Sequence, residues 1–191
     1  MRALVTGAVL LLLAGLALVI PPLRHDLFRW SGLTPPHSPE RGADRSLFTI
    51  VQAQRDYRDY DRDGNGKTDY WRGDIAGLYS IFPPSADERA AIKLIELSIA
   101  AADDRPRTDI ARYIRTQPKA GYWYRSLRLP GETLPDPDRF AAACFPARYP
   151  DTGRWTFIVR EDGVLWRKDL GHGRGLEEYP RDPSWEGWVS H

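Results

Sequence analysis

The stretch RWTFIVREDGVLW, residues 154–166, decides the fold class. Residues 157–159 and 164–166 are aromatic or aliphatic, and Asp162 and Gly163 between them tolerate a positive φ. A two-residue turn between such runs predicts a β-hairpin. Two earlier runs, 121–128 and 139–145, have a similar composition and are bounded by turn residues. Together these runs predict an antiparallel sheet of three to four strands.

Two helices are predicted before the sheet. From Ser46 onward, apolar residues recur at the spacing of an amphipathic helix. A second helix is predicted to run to Ala102, because Ser85 and Glu88 form a capping box and the residues from Ala90 are mostly apolar. We therefore expect an α+β fold with two main helices on one face of the sheet, and a tail from Leu176 that packs back on it.

The N-terminal segment is apolar from Ala3 to Ile20, apart from Thr6. Its length reaches the lower end of the roughly 17–25 residues that span a bilayer. Pro21 and Pro22 would end such a helix. We predict a transmembrane anchor over 1–22 that contacts membrane lipid through residues 3–20. A cleaved signal peptide is the competing interpretation, although the apolar run exceeds the usual length of about 7–15 residues.

The rest of the chain divides into a linker and a folded body. Residues 23–45 are rich in proline and are predicted to form a tether, and residues 46–191 are predicted to form the α+β extracytoplasmic domain. Positive charges flank the apolar segment on both sides, so the positive-inside rule alone gives little preference between the two orientations of the anchor. The cation-binding loop described below favours an extracytoplasmic body and a single-pass membrane protein.

The charge balance argues against one class of partner. Lys plus Arg number 27 and Asp plus Glu 26, which gives a net charge of +1. Nucleic-acid binding requires clustered basic residues without compensation, so no nucleic-acid partner is predicted. The one cysteine, Cys144, lies in an apolar run and is predicted to be buried.

One loop has the composition of a cation site. Residues 61–69 follow the pattern D-x-D-x-N-G-x-x-D. Calcium takes about six to eight oxygen ligands, which alternate side chains in a tight loop can supply. The predicted ligands are Asp61, Asp63, Asn65, Lys67 through its carbonyl, and Asp69. Arg72 occupies the position of the bidentate glutamate of an EF-hand, which argues against a sensor. The alternative is a solvated turn that caps the first helix.

Aromatic residues are abundant, with seven Trp, nine Tyr and six Phe. Packing of a small sheet accounts for many of them. A ligand-binding face is the functional alternative, and strand alternation would place Tyr122 and Tyr124 on one face and Trp123 on the other. The candidate residues of that face are Tyr122, Trp123, Tyr124, Trp155 and Trp166.

Four sequence blocks resemble an uncharacterised bacterial cell-envelope family that is known as a domain of unknown function. They are AQRDYRDYDRDGNGKTDYW (53–71), AGYWYRSL (120–127), FPARYPDTGRWTFIVREDGVLWRKDLG (145–171) and DPSWEGW (182–188). The first block is also similar to the helix-then-loop opening of pilin-like secretion proteins. The resemblance implies a pilin-like body of helix plus antiparallel sheet and an envelope location. Pro21 and Pro22, and the lack of an early glutamate, set the chain apart from pilins.

The motifs of the common enzyme classes are missing from the sequence. It has no H-E-x-x-H, no G-x-S-x-G and no P-loop. We therefore expect a non-catalytic envelope protein that presents an interaction domain to a protein partner, with calcium stabilising the Asp-rich loop. The alternative is a module that binds cell-wall polysaccharide or peptide through the aromatic face. A hydrolase would require titratable groups that converge in a cleft.

Overall fold

The computed structural model describes residues 39–84, 90–132 and 136–191. The α-helices there are α1 (Pro39–Asp59) and α2 (Leu97–Ala100), with a 3₁₀ helix at Ala76–Tyr79. The strands are β1 (Tyr122–Ser126), β2 (Ala141–Pro146), β3 (Trp155–Arg160), β4 (Trp166–Asp169) and β5 (Val189–Ser190). The predicted anchor, most of the predicted linker and the capping box lie outside the described residues. Within those ranges, no helix is both long and apolar enough to cross a membrane.

The five strands form one antiparallel sheet in the order β1-β2-β3-β4-β5. The α+β class is therefore confirmed, but the sheet has more strands than the three to four predicted. The additional strand is β5, in which Val189 and Ser190 pair with Arg167 and Trp166. A strand of two residues is too short to show a periodic pattern in the sequence.

The predicted hairpin joins β3 to β4. Ile158 pairs with Trp166, and Trp155 pairs with Asp169. Gly163 adopts a φ of 76°, and its N–H donates to the carbonyl of Arg160 at 2.9 Å. The Asp162 carboxylate accepts the N–H of Val164 at 2.8 Å, which holds the turn closed. The turn uses a positive φ at the glycine, as its sequence predicted.

Helix α1 packs across β2 and β3. Its inward residues are buried and include Leu47, Ile50 and Val51, which recur at helical spacing. The helix already includes Pro39 and so extends further toward the N-terminus than the Ser46 predicted; proline is tolerated there because it suits a first helical turn. Glu40 in that turn accepts the N–H of Arg154 at 3.2 Å and so connects the start of the helix to the start of β3.

Over the described residues 90–102, the prediction of a long second helix is wrong. Ile92 forms a two-way bridge with Ile81, with N–H to O distances of 3.1 and 2.9 Å. Leu94 N–H donates to Leu78, so this part of the chain is extended, and only the short helix α2 follows. A run that is apolar on all sides fits a buried extended segment as well as a buried helix, and periodicity cannot separate them.

The sheet is covered on both faces. On one face, Tyr122, Tyr124 and Phe157 share a core with α1, α2 and the 3₁₀ helix. On the other, Ala143 and Ile158 pack against the C-terminal tail, including Tyr179 and Trp188. The predicted return of the tail onto the sheet is confirmed. Two covered faces explain why every residue of β2 is buried.

A buried glutamine joins α1 to the segment that follows the Asp-rich loop. Gln54 is 3% exposed. Its side-chain amide donates to the carbonyl of Trp71 at 3.1 Å and accepts the N–H of Trp71 at 2.9 Å. The Trp71 ring also packs edge-on against Tyr57, with centroids 5.6 Å apart. These contacts place the segment after the loop relative to the core.

Replacing Gln54 by alanine should destabilise the fold by about 2–4 kcal/mol, because two backbone groups of Trp71 lose their partner in a buried setting. The measurement is urea denaturation followed by circular dichroism. Gln52→Ala on the exposed side of the same helix is the matched control, with an expected change within about 0.5 kcal/mol. Equal effects of the two substitutions would contradict this role of Gln54.

Candidate functional site

A groove of about 560 Å³ lies beside the end of β1. Its walls come from 71–74, 103–107, 125–129 and 136–141, together with Gln54, Glu132 and Glu177. Its ionisable lining residues are Arg72, Asp74, Asp103, Arg105, Arg107, Arg125, Arg128, Glu132, Asp136, Arg139 and Glu177. Segments far apart in the sequence thus converge on one concave surface.

Asp74 is a buried carboxylate that organises two loops. One oxygen accepts the N–H of Gly77 at 3.2 Å and the hydroxyl of Thr108 at 2.7 Å. The other accepts the backbone N–H groups of Arg107 and Thr108. Four donors from two loops saturate this carboxylate, so its charge is compensated within the protein.

Asp103 is the second buried carboxyl of the groove and is 2% exposed. Its oxygens accept the N–H groups of Ala76 and Arg105, each at 2.9 Å. Burial raises the pKa of Asp103 to about 6, and the charges of Asp74 and Asp104 also raise it, against the two amides that lower it. Asp103 therefore titrates closer to neutral pH than an ordinary aspartate.

An ion-pair network closes one end of the groove. The guanidinium of Arg125 on β1 binds both carboxylate oxygens of Asp104, with Nε 2.9 Å from Oδ1. Its Nη1 lies 2.8 Å from Glu177, whose other oxygen lies 2.9 Å from Arg105. Arg125 is 8% exposed and also stacks on the ring of Phe145. Breaking such a buried pair leaves an uncompensated charge, so this network is a structural element of the wall.

Three other arginines of the groove are exposed: Arg72, Arg107 and Arg128, here called the rim arginines. Among the residues that the structure describes, their guanidinium groups have no ion-pair or hydrogen-bond partner. By contrast, the acids of the groove each accept at least one hydrogen bond, and the two most buried acids, Asp74 and Asp103, accept theirs from backbone amides and a threonine. The groove therefore offers three free guanidinium groups, whereas Asp74 and Asp103 are engaged by donors of the protein; one oxygen of Glu132 is buried without a partner in the described part of the chain.

The Asp-rich loop begins as the C-terminal cap of α1. Asp61 adopts a φ of 45°, and the N–H groups of Asp61 and Arg62 donate to the carbonyls of Arg58 and Tyr57. This pair of bonds is the Schellman arrangement that ends many helices. The Asp61 carboxylate then accepts the N–H groups of Asn65 and Gly66 at 3.1 and 2.9 Å. The alternative of a capping turn, which the sequence left open, is thus present in the structure.

The predicted metal ligands are held close to one another by bonds within the loop. Asp63 accepts the Asn65 side chain at 2.8 Å, and Asn65 accepts the Lys67 N–H at 2.7 Å. Asp63, Lys67 and Asp69 line one shallow cavity of about 380 Å³. Over the described ranges, no three His, Cys, Asp or Glu side chains form a group that could hold a metal ion. The calcium site stays a prediction.

The electrostatics of this loop centre on Tyr57. Burial raises the pKa of the Tyr57 hydroxyl, and a hydrogen bond to Asp63 and the nearby negative charges raise it further. Partial burial of Asp63 acts to raise its own pKa, but hydrogen bonds from Tyr57 and Asn65 outweigh it and leave that pKa lowered. The loop is therefore stabilised by donors of this chain.

The candidate aromatic face is divided by the fold. Tyr122 and Tyr124 are fully buried in the core beneath α1, which removes them from any binding surface. Trp123 points to the opposite face, as alternation predicted, and lines a second depression with Arg125 and Phe145. Trp155 and Trp166 are half-buried and pack against different cores. The five side chains therefore form no continuous exposed row.

Cys144 and the two described histidines, His172 and His191, lie outside the groove. Cys144 is fully buried in β2, as predicted, and burial raises the pKa of its thiol. His191 lies 3.1 Å from the Asp44 carboxylate and packs on Phe157, and His172 is exposed. His25 and His37 lie outside the described residues. Neither Cys144 nor either described histidine reaches the groove.

The sequence analysis missed the groove. Its acids and arginines lie on separate segments, each with at most three of them, so no local motif marks the site. The nearest signal is the run Asp103-Asp104-Arg105-Pro106-Arg107, in which two acids precede two arginines. Such a run is usually a solvated surface, and only the packing of the 3₁₀ helix over Asp103 buries its acid.

Asp103→Asn should abolish one component of the pH dependence of stability. Because the folded-state pKa of about 6 lies above the unfolded value of 3.8, the native state binds the extra proton, and stability falls as pH rises between those values. Relative to the parent, the variant should gain about 2 kcal/mol between about pH 4 and pH 7. Urea denaturation at both pH values measures the difference. The exposed Asp138→Asn should show no such gain, and parallel pH curves for Asp103→Asn would contradict the prediction.

Comparison with known proteins places the folded body in a family. No curated protein and no solved structure matches the chain significantly. The family described as protein of unknown function (DUF2950) matches residues 39–186. The match includes α1, the groove and β1 to β4. The predicted resemblance to a domain of unknown function is confirmed at that level, and the chain belongs to the DUF2950 family.

Proposed function

We propose that this chain is a non-catalytic, membrane-anchored envelope protein that presents its folded body as an interaction domain, and that the groove is its binding surface. The observation that carries the proposal is the size and form of the groove. Its volume of about 560 Å³ falls within the range of about 300–1,000 Å³ that is usual for ligand sites. Its walls combine half-buried or buried apolar groups, such as Trp71 and Phe140, with polar groups that converge from several segments.

The chemistry of the groove supports binding over catalysis. Its ionisable side chains are carboxylates and guanidinium groups, and guanidinium groups stay charged at any ordinary pH. Asp74 and Asp103 are both engaged by backbone amides that shape the walls. Catalysis by a hydroxyl, thiol or amine nucleophile would need a serine, cysteine or lysine activated by a nearby base. The described lining has one serine, Ser126, whose hydroxyl donates to the carbonyl of Gly73.

A hydrolase is the second candidate, and Asp103 is the observation that favours it. A carboxyl whose pKa is raised to about 6 can act as a general acid near neutral pH. It lies in a groove with another acid, Asp74, as paired-carboxylate chemistry requires. Asp103 is almost fully buried and holds two amides, however, so we rank its structural role first.

The anchor and location are part of the proposal. The apolar residues 3–20 would insert in membrane lipid, and the Pro-rich residues that follow would space the body from the bilayer. A long helix on an antiparallel sheet supports the pilin-like description. We place the body outside the cytoplasm with a protein partner in the envelope.

Calcium binding is proposed as a stabilising feature of the Asp-rich loop. Asp61, Asp63 and Asn65 supply oxygen donors within a turn that is already closed by Gly66. Because these oxygens already accept loop amides, a cation would compete with existing bonds. We therefore expect weak binding, with a Kd on the order of 10⁻⁴–10⁻³ M, which suits an extracytoplasmic setting.

Site-specific photo-cross-linking in the cells that make the protein tests the groove as the binding surface. The photo-reactive benzoyl-phenylalanine in place of Asp136, on the groove wall, should yield a cross-linked product in the membrane fraction. The same group in place of the exposed Arg148, outside the groove, should yield none. No product from the groove position, or the same product from both positions, would refute the proposal.

Deletion of residues 3–20 should release the protein from the membrane fraction.

Thermal melting tests the calcium proposal. Excess calcium should raise the Tm of the parent protein by about 3 °C, because a ligand that binds only the native state stabilises it. The double variant Asp61→Ala with Asp63→Ala should show no rise, whatever its own Tm, and magnesium should not replace calcium. An unchanged Tm of the parent protein in millimolar calcium would contradict the calcium proposal.

A further inference from the structure

The rim arginines are free, while three of the five groove acids, Asp74, Asp103 and Glu177, are engaged by donors of the protein. Glu132 and Asp136 each accept one backbone N–H and have no cationic partner among the described residues. The groove lining holds six arginines and five acids, so its total charge is nearly balanced. The depth of each charged side chain in the groove decides which charges a ligand would contact. Asp74 and Asp103 are buried and bound by amides, and Glu177 is held by Arg105 and Arg125. A ligand entering the groove would therefore meet the uncompensated guanidinium groups of Arg72, Arg107 and Arg128.

The backbone of each rim arginine is fixed by the fold. Arg107 donates its N–H to the buried Asp74 carboxylate. Arg128 donates its N–H to the carbonyl of Glu177 at 3.2 Å, and its carbonyl accepts the N–H of Tyr179 at 2.8 Å. Arg72 directly follows Trp71, which Gln54 holds through two bonds. The three side chains thus project from anchored positions, which reduces the ordering entropy that binding would cost.

The groove also has an apolar part. Trp71, Leu127, Leu129 and Phe140 line it between the charged groups. Such surfaces contact the carbon skeleton of a ligand, whereas a bare inorganic ion would leave them unused. Planar guanidinium forks recognise carboxylate and phosphate through paired hydrogen bonds. The chemistry of the lining is therefore that of a site for an organic polyanion.

We infer that the groove binds a small organic ligand, or the end of a larger one, that carries at least two carboxylate or phosphate groups and is held by the rim arginines. The inference rests on the proposed function, in which the groove is the binding surface, and it names the class of ligand. Carboxylate and phosphate can each accept two parallel hydrogen bonds from a guanidinium, so either group satisfies the site. Affinity depends on the three arginines together and weakens as salt screens them.

Isothermal titration calorimetry of the purified full-length chain in a non-ionic detergent tests the inference. The probes are citrate, with three carboxylates, and 2,3-bisphosphoglycerate, with two phosphates; glycerol is the neutral probe. One or both anions should bind, more weakly at high salt, and glycerol should not. Binding of citrate alone or of the bisphosphate alone identifies which anionic group the site takes. Binding of neither anion, or equal binding of glycerol, overturns the inference.

Variants assign the binding to the rim. Arg72→Gln, Arg107→Gln and Arg128→Gln should each raise the Kd for the bound anion about ten-fold, which is the effect of losing one hydrogen bond to a charged group. Arg148→Gln removes one exposed positive charge outside the groove and should leave the Kd unchanged. Equal weakening by all four substitutions, or by none, overturns the assignment. Thermal melting confirms that each variant is folded.

The outcome separates this inference from the proposed function. A groove cross-link that persists in the three glutamine variants, with no anion binding, would leave the binding surface in place and refute the ligand class. Anion binding that depends on the rim arginines, without a cross-linked partner, would support the ligand class and refute a protein partner at the groove.

Discussion

The packing of α1 across β2 and β3 is the contact on which the other parts of the structure depend. Leu47, Ile50 and Val51 are buried against a sheet face that also presents Tyr122 and Phe157. Burying each such aliphatic side chain contributes about 1.5–3 kcal/mol, more than any single polar contact at the surface. The same helix carries Gln54, which holds the main chain of Trp71 and thus the segment that forms one wall of the groove. A displaced helix would therefore change the groove as well as the core.

The groove follows from a second constraint, which is that buried carboxylates need donors. Asp74 and Asp103 satisfy this need by drawing in the amides of the 3₁₀ region and of residues 105–108. The two loops are held together by these bonds. They fix the backbone of Arg107 and leave its side chain exposed, so one of the three rim arginines is placed by the closure of the loops.

Most of the sheet could be predicted from the sequence, whereas the groove could not. Alternation and turn chemistry act between neighbouring residues, so β3, β4 and the turn at Gly163 were readable along the chain. The apolar run from Ala90 to Ala102 led to a wrong prediction of a long helix. Its extended part is stabilised by the pairing of Ile92 with Ile81, and the pattern of apolar residues does not indicate that pairing. The Asp-rich loop was located correctly, and the structure adds that Asp61 ends α1 by a left-handed cap. The family match covers residues 39–186 of the same folded body, and the description of the family gives no reaction.

By itself, the sequence determined the α+β class, the antiparallel strands and the burial of Cys144, because these depend on local propensity and on residue size and polarity. Only the tertiary structure decided that Tyr122 and Tyr124 face the core, that β5 adds a strand at the edge of the sheet, and that Asp74, Asp103 and the rim arginines meet in one groove. The physical reason is distance along the chain. Contacts between segments depend on the packing of the whole domain, and no local pattern of residues records them.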